Sequence, residues 1–242
     1  MASSPSQPKT ALSQSLSNRL LSSLDRSARP EFFANIETVD LKARQVLYQP
    51  GQHIRAIYFP ETCVVAMMTV MNDGSTIEAA TVGREGASWI SASLKSQTMP
   101  CETIIAIAGR ATRVQSQVVE REIQENGEFH DALSEYAHAL LIQTLRSAAC
   151  NALHSLEQRC SRWMLMTIDR TGVDGFAITH EFLGALLGVR RTSVSQLVER
   201  LADMGILRIS RGQIRVADRT KLEQITCECY GIVKEYYQEL QH

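Results

Sequence analysis

No run in this chain approaches the roughly 18 apolar residues that a membrane-spanning helix needs. The opening segment MASSPSQPKTALSQSLSN also lacks the apolar core of a secretory signal. These absences argue against a membrane protein and set the expected location in the cytoplasm. Charge of one sign is not in excess either: 25 basic residues against 26 acidic ones leave a formal net of -1, which excludes a polyanion-coating protein. The six cysteines (Cys63, Cys101, Cys150, Cys160, Cys227, Cys229) are dispersed, and none lies in the N-terminal segment. Dispersion without a secretory signal fits reduced thiols better than a disulfide framework. A phosphate-binding loop, a metal motif and a nucleophile elbow are all missing, so no enzyme is expected and no catalytic residue is nominated.

What is present divides into two domains, which 242 residues can supply with separate cores. Residues 1–18 are polar and read as a flexible arm, followed by a short helix around Arg19 to Leu24. From about Val39 to Val114 the apolar pattern has period two. "VLYQPGQHIRAIYF" sets Pro50-Gly51 between two apolar runs, and "VVAMMTVMNDGSTIEAATV" sets Asn72-Asp73-Gly74-Ser75 between two more. Asp-Gly supplies the positive φ angles of tight hairpins, and several short strands at close spacing predict an antiparallel sandwich or barrel. We assign it to residues 19–126.

Beyond Gln115 the period becomes helical. A short helix is expected to end near Gly127, and a long one to run from about Glu128 to Ala152, about 37 Å at 1.5 Å per residue, in a dimerisation segment assigned to residues 127–153. Its apolar positions form a stripe broad enough for one side to lie on the barrel and the other on an identical helix. Leu133, Ala137, Leu140, Leu141 and Leu145 are the expected dimer contacts. "SLEQRCSRWMLMTI" then makes an amphipathic helix with Trp163, Leu165, Met166 and Ile168 available for a second core, in a C-terminal domain spanning 154–242.

Residues 175–219 hold seven arginines and four acids, a local net of +3 in a chain whose total is -1. "THEFLGALLGVRRTSVSQLVERL" reads as helix, turn, helix. Thr179 caps the first helix, Gly184 permits close approach, Gly188 permits the turn, and Leu183, Leu187, Val189, Val194 and Leu197 bury the inner faces. Arg190, Arg191, Thr192, Ser193, Ser195 and Gln196 are left pointing outward at the start of the second helix. Two cations there oppose the macrodipole, which calls for a reason. A recognition helix supplies one, because arginine in a major groove bonds O6 and N7 of guanine. "GILRISRGQIRV" follows as two short strands with Arg211 at the tip, a wing suited to a phosphate contact. For Arg200 and Arg219 taken singly, a solvated surface charge is the favoured reading.

Barrel, long helix and winged helix-turn-helix in this order resemble the Crp/Fnr family of bacterial transcription regulators. The resemblance covers nearly the whole chain after about residue 20 and is closest in "ITHEFLGALLGVRRTSVSQLVERLADMGILRISRGQIRV". It implies an α+β fold with an N-terminal double-stranded β-helix of the cyclic-nucleotide-binding type. It also implies a homodimer paired through the long helices, double-stranded DNA with a palindromic site as partner, and a guanine-reading role for Arg191. RNA polymerase and a small-molecule effector are further partners it suggests. Thr192 stands where cyclic-AMP-responsive members have an acid, and Gln196 where they have a second arginine, so their half-site does not transfer. The region matching their ligand pocket contains "VGREG". Gly83, Arg84, Glu85 and Gly86 are the candidate effector residues, but Lys95 is the one charge between Gly86 and Glu102. A cyclic phosphate needs a fixed cation, so cyclic AMP is not expected and no cofactor is named.

Other sensing chemistries find less support. An iron–sulfur cluster of the family's usual kind needs N-terminal cysteines. Cys227 and Cys229, two apart on a helix, would point to different faces with no second pair nearby, so they read as structural thiols and no metal site is expected. Cys101, after Pro100, is a candidate exposed redox thiol. His130, Glu135 and His138 share a helix, but the two histidines are too far apart for one ion. The rival to a DNA-binding regulator is a small-molecule or redox sensing or scaffolding module whose helix-turn-helix makes protein contacts only. Outward arginines favour DNA, since a protein-binding face is more often apolar or aromatic.

Overall fold

The computed structural model describes residues 17–89 and 97–240. All of the expected arm before Ser17, and Lys95, lie outside the described residues. Asn18 belongs to the folded domain: it is fully buried, its amide donates to the carbonyls of Pro60 and Gly86, and its Oδ1 accepts from the Leu21 amide. That last bond caps helix α1 (Arg19–Ser22), which precedes α2 (Pro30–Ala34).

Seven strands follow: β1 (Ile36–Leu41), β2 (Val46–Tyr48), β3 (Ala56–Pro60), β4 (Val64–Val70), β5 (Thr76–Val82), β6 (Glu102–Ile107) and β7 (Gly109–Gln115). The antiparallel unit read from the sequence is present. Among the described residues its walls are two sheets, ordered β1-β7-β3 and β2-β6-β4-β5, rather than one closed ladder. The β4–β5 hairpin turns where Asp-Gly predicts. Gly74 takes φ +82°, and Asp73 Oδ1 accepts from both the amide and the hydroxyl of Ser75.

Helix α3 (Ser116–Glu125) leads to α4 (Gly127–Leu153), whose first turn is capped by Asn126 accepting from the Phe129 amide. The chain becomes extended at His154. Ser155 and Gln158 then close a reciprocal capping box that starts α5 (Leu156–Thr171), and Gly172 ends it at φ +72°. The C-terminal part adds β8 (Gly175–Ala177), α6 (His180–Leu187), α7 (Arg191–Asp203), β9 (Leu207–Ser210), β10 (Gln213–Val216), α8 (Arg219–Gln224) and α9 (Cys229–Glu239), with sheet order β8-β10-β9.

The expected second core is not separate. Trp163, Leu165, Met166 and Ile168 join a hydrophobic cluster continuous with the sandwich. The cause is that α5 packs on β4, α8 and α9 alike, while α6 lies against β5. Polar bonds cross the same seam: Trp163 Nε1 donates to Glu78 Oε2 at 2.8 Å, and the Thr76 hydroxyl donates to the Ala185 carbonyl at 3.4 Å. No helix among the described residues is long and apolar enough to cross a membrane.

Candidate nucleic-acid interface

Helix α6 begins at Thr179, whose hydroxyl accepts from the Phe182 amide at 3.1 Å. It ends at Gly188, in the left-handed region at φ +65°. The next turn brings the backbone back over Gly184, where a Cβ would lie 2.8 Å from the Val189 carbonyl. Glycine at these two positions lets α7 start directly against α6. Val194, Leu197, Val198 and Leu201 bury the inner face of α7. Arg190 is its N-cap residue with no side-chain cap bond, and no acid lies in its first turn. Arg190, Arg191, Thr192 and Gln196 are exposed, while Ser193 and Ser195 are half-buried.

The wing is a two-residue hairpin in which Ser210 faces Gln213. Arg211 at φ +45° and Gly212 at φ +79° supply the paired positive φ angles this turn requires. A groove of about 440 Å³ lies between wing and helices, lined in part by Thr179, His180, Arg191, Gly212 and Gln213. Of the residues expected to bind DNA, Thr179 and Arg191 line this groove, and Arg211 forms the wing turn next to Gly212.

Three side chains depart from the reading. The Ser195 hydroxyl is engaged by His180 Nδ1 at 2.9 Å, which ties α7 to α6 and occupies a group expected to point at bases. Arg208 and Arg215, not nominated from sequence, stand directly opposite each other on the exposed face of the wing. Like charges so placed repel, so a polyanion between them would relieve a cost. Alternation along "LRISRGQIRV" carries that signal once both strands are assigned. Among the described residues no acid pairs with Arg190, Arg191, Arg208, Arg211 or Arg215. By contrast Arg200 meets Glu157 at 2.8 Å as an exposed surface pair, and Arg219, which meets Asp169 at 2.7 Å, also donates to Glu223 and the Tyr230 hydroxyl and is a structural charge.

The candidate effector turn is filled by the protein itself. A Cβ at Gly83 would overlap the Arg170 side chain, and one at Gly86 would overlap the Tyr136 ring. Glu85 is buried and accepts from Arg170 Nε at 2.6 Å. The other Arg170 nitrogens donate to the Thr81 hydroxyl and to Gln143 Oε1. Burial opposes charge on Arg170 most strongly, but Glu85, Tyr237 and Glu78 together outweigh it and raise the guanidinium above its ordinary value. Four elements meet at this one cation. What remains open is a cavity of about 410 Å³ beside it, between the turn, the end of α5 and α9. Arg19, Arg84, Arg170, Arg219 and Lys234 line it against Glu85, Asp169 and Asp174. Among the described residues Arg84 Nε and the Tyr237 hydroxyl, from two lining residues, are buried without a hydrogen-bond partner.

The expected dimer contacts separate into two sets. Leu133 and Leu140 are buried within one chain, against the sandwich, and are not available to a partner; Ala137 is half-buried. Leu141 and Leu145 are 55% and 58% exposed, and with exposed Ala148 and Ala152 they recur at alternating spacings of four and three residues. That is the pattern of a helix-pairing seam. Cys101 is partly buried, and burial raises its thiol above the ordinary value, against the properties of a reactive cysteine.

Residues 158–225 match the family model of the Crp-like helix-turn-helix domain. A 91-residue stretch is 35% identical to the cyclic AMP receptor protein of Thermus thermophilus, covering 36% of this chain and 42% of that protein. The chain therefore spans less than half the length of this curated relative. The structure of FixK2 from Bradyrhizobium japonicum is similar with a TM-score of 0.66 at 16% identity, over 79% of this chain and 98% of that one. A regulator of the Crp/Fnr family from Eubacterium rectale is similar with a TM-score of 0.64 at 15% identity, over 85% of this chain and 96% of that one.

Proposed function

We propose that this chain, which carries a Crp-like helix-turn-helix domain on the fold of the Crp/Fnr regulators, is a cytoplasmic, homodimeric transcription regulator reading a palindromic DNA site. It is a regulator, not an enzyme. The observation that carries the reading is the set of five exposed arginines left without acidic partners on one winged helix-turn-helix. Arg191 reads a guanine, with Arg190, Thr192, Ser193 and Gln196 beside it. Arg208, Arg211 and Arg215 contact phosphates along the wing, and Thr179 orients α6 at the groove. RNA polymerase is the expected partner at a promoter.

Two copies pair through Leu141, Leu145, Ala148 and Ala152. A Leu141→Glu, Leu145→Glu chain is expected to sediment as a monomer, and a dimer unaffected by this change places the interface elsewhere. The effector is a small anion held in the cavity beside Arg84, since cations outnumber acids there and two buried donors lack partners. Thermal shifts with inorganic pyrophosphate and nucleotides test this; a shift lost in Arg84→Ala supports it, and none with any anion refutes it.

The decisive experiment is selection from random DNA duplexes at near-physiological salt without effector. Enrichment of a palindrome with half-sites about one helical turn apart establishes a dimeric regulator. A folded dimer that retains no sequence, with and without the anions above, supports the protein-contact module instead.

A further inference from the structure

We propose that Cys150, His154, Cys227 and Cys229 form a tetrahedral site for a divalent metal ion of the zinc class, joining the end of α4 to the start of α9. Their donor atoms all lie within 4.8 Å of one another. Cys150 Sγ is 3.6 Å from Cys227 Sγ, and Cys229 Sγ is 3.8 Å from His154 Nδ1. A tetrahedral ion with metal–sulfur and metal–nitrogen bonds of about 2.3 and 2.0 Å sets its sulfurs about 3.8 Å apart and sulfur from nitrogen about 3.5 Å. Two edges of such a tetrahedron are thus already close to these lengths, and the remaining ones need only contract from at most 4.8 Å.

The surroundings fit the same ion. His154 Nε2 meets Glu228 Oε2 at 3.3 Å, the carboxylate partner that turns the other ring nitrogen toward a metal. The three cysteines are buried in a small cluster of their own, apart from the main core. Apolar packing does not account for three thiols gathered in this way. Three thiolates, a neutral imidazole and a divalent ion sum to one negative charge, and the Arg162 guanidinium acts electrostatically on all three sulfurs. Sulfur-rich donor sets with one imidazole select zinc over harder cations.

The sequence pattern concealed this site because Cys227 and Cys229 were read as sharing a helix. Cys227 sits in the loop before α9 and Cys229 is its first residue, so both thiols turn the same way. Cys150 and His154 are four apart, on one face at the end of α4. His154 is also where the chain leaves α4 for α5. An ion here pins that joint to the C-terminal helix and so fixes how the long helix carries the helix-turn-helix.

The test is titration of the reduced, metal-stripped full chain with cobalt(II), then zinc(II), without oxygen. One equivalent of cobalt per chain is expected, with the intense visible bands of a tetrahedral ion and a sulfur-to-cobalt charge-transfer band, both abolished by one equivalent of zinc. Zinc should raise the melting temperature. Cys227→Ser or His154→Ala should weaken cobalt binding at least 100-fold, Glu228→Gln about 10- to 100-fold, and Cys101→Ser not at all. The wild-type spectrum decides even where a variant misfolds. No cobalt band, an octahedral spectrum, or bands that survive Cys227→Ser overturn the proposal. So does a Cys150–Cys227 disulfide in the purified chain with no cobalt uptake after reduction, which assigns the pair to redox chemistry.

Discussion

Two groups of arginines in one chain show opposite treatments of the same side chain. Arg190, Arg191, Arg208, Arg211 and Arg215 are exposed, and no described acid pairs with them. Arg170 is buried with its nitrogens engaged by Glu85, Thr81 and Gln143, and Arg219 is shared among Asp169, Glu223 and the Tyr230 hydroxyl. A paired cation holds parts together, whereas the unpaired ones at the α7 start and along the wing are proposed to meet a partner outside the chain. Interior arginines should therefore govern stability, and those of the winged face should govern binding.

The largest effect expected from this contrast is at Arg170. Arg170→Met strands the Glu85 carboxylate and should cost about 3–5 kcal/mol in urea unfolding. Adding Glu85→Gln removes the stranded charge and should restore most of that loss. If the single change leaves stability within experimental error, the seam is open to water and the contrast fails.

A smaller effect, on binding rather than folding, is expected at Arg191. Arg191→Ala should cost about 1–3 kcal/mol on the selected site and relax preference at one base pair, with the melting temperature unchanged. Equal weakening on every duplex would move Arg191 from base reading to phosphate contact.

What was legible in the sequence follows the same line. The helix-turn-helix and wing were readable because their determinants are local: Thr179 as cap, Gly188 at the turn, apolar residues at helical spacing, Arg211-Gly212 between two short strands. The α5 seam was not, because Arg170 and Trp163 each find their acid 85 residues away. Without that knowledge Arg84 and Glu85 look like free charges in an effector loop. Periodicity gave α4 its length but not its orientation, so Leu133 and Leu140, which face the sandwich, were grouped with Leu141 and Leu145, which do not. The proposed metal ligands failed to register for a similar reason: Cys150 and His154 lie at the end of one helix, and Cys227 and Cys229 at the entry to another 73 or more positions later.

The wing sharpens the contrast further. Arg208 and Arg215 are opposed across two strands, so Arg215→Thr should stabilise the free protein by about 0.2–1 kcal/mol. The same change should weaken DNA binding evenly across sequences and reduce the slope of log K against log salt by about 0.9. Melting and salt titration on one variant check both directions. A variant that loses stability as well as binding would mean that Arg215 is structural.

The smallest effect is expected from an acid at the seam. Glu78 is buried, which pushes its carboxyl above the ordinary value, while the Trp163 hydrogen bond and the nearby Arg162 and Arg170 oppose the shift. A raised folded-state pKa means that the native chain keeps a proton the unfolded chain has released. Stability from this group is thus greatest at acid pH, declines as pH rises from about 4.3 through the folded pKa, and is level above it. Glu78→Gln keeps an acceptor for Trp163 but cannot ionise. Its stability relative to wild type should therefore increase with pH across that window and then hold constant, as urea unfolding at a series of pH values would measure. A difference independent of pH would mean that Arg162 and Arg170 already compensate the Glu78 charge, and the interior would then be as fully paired at its acids as at its arginines.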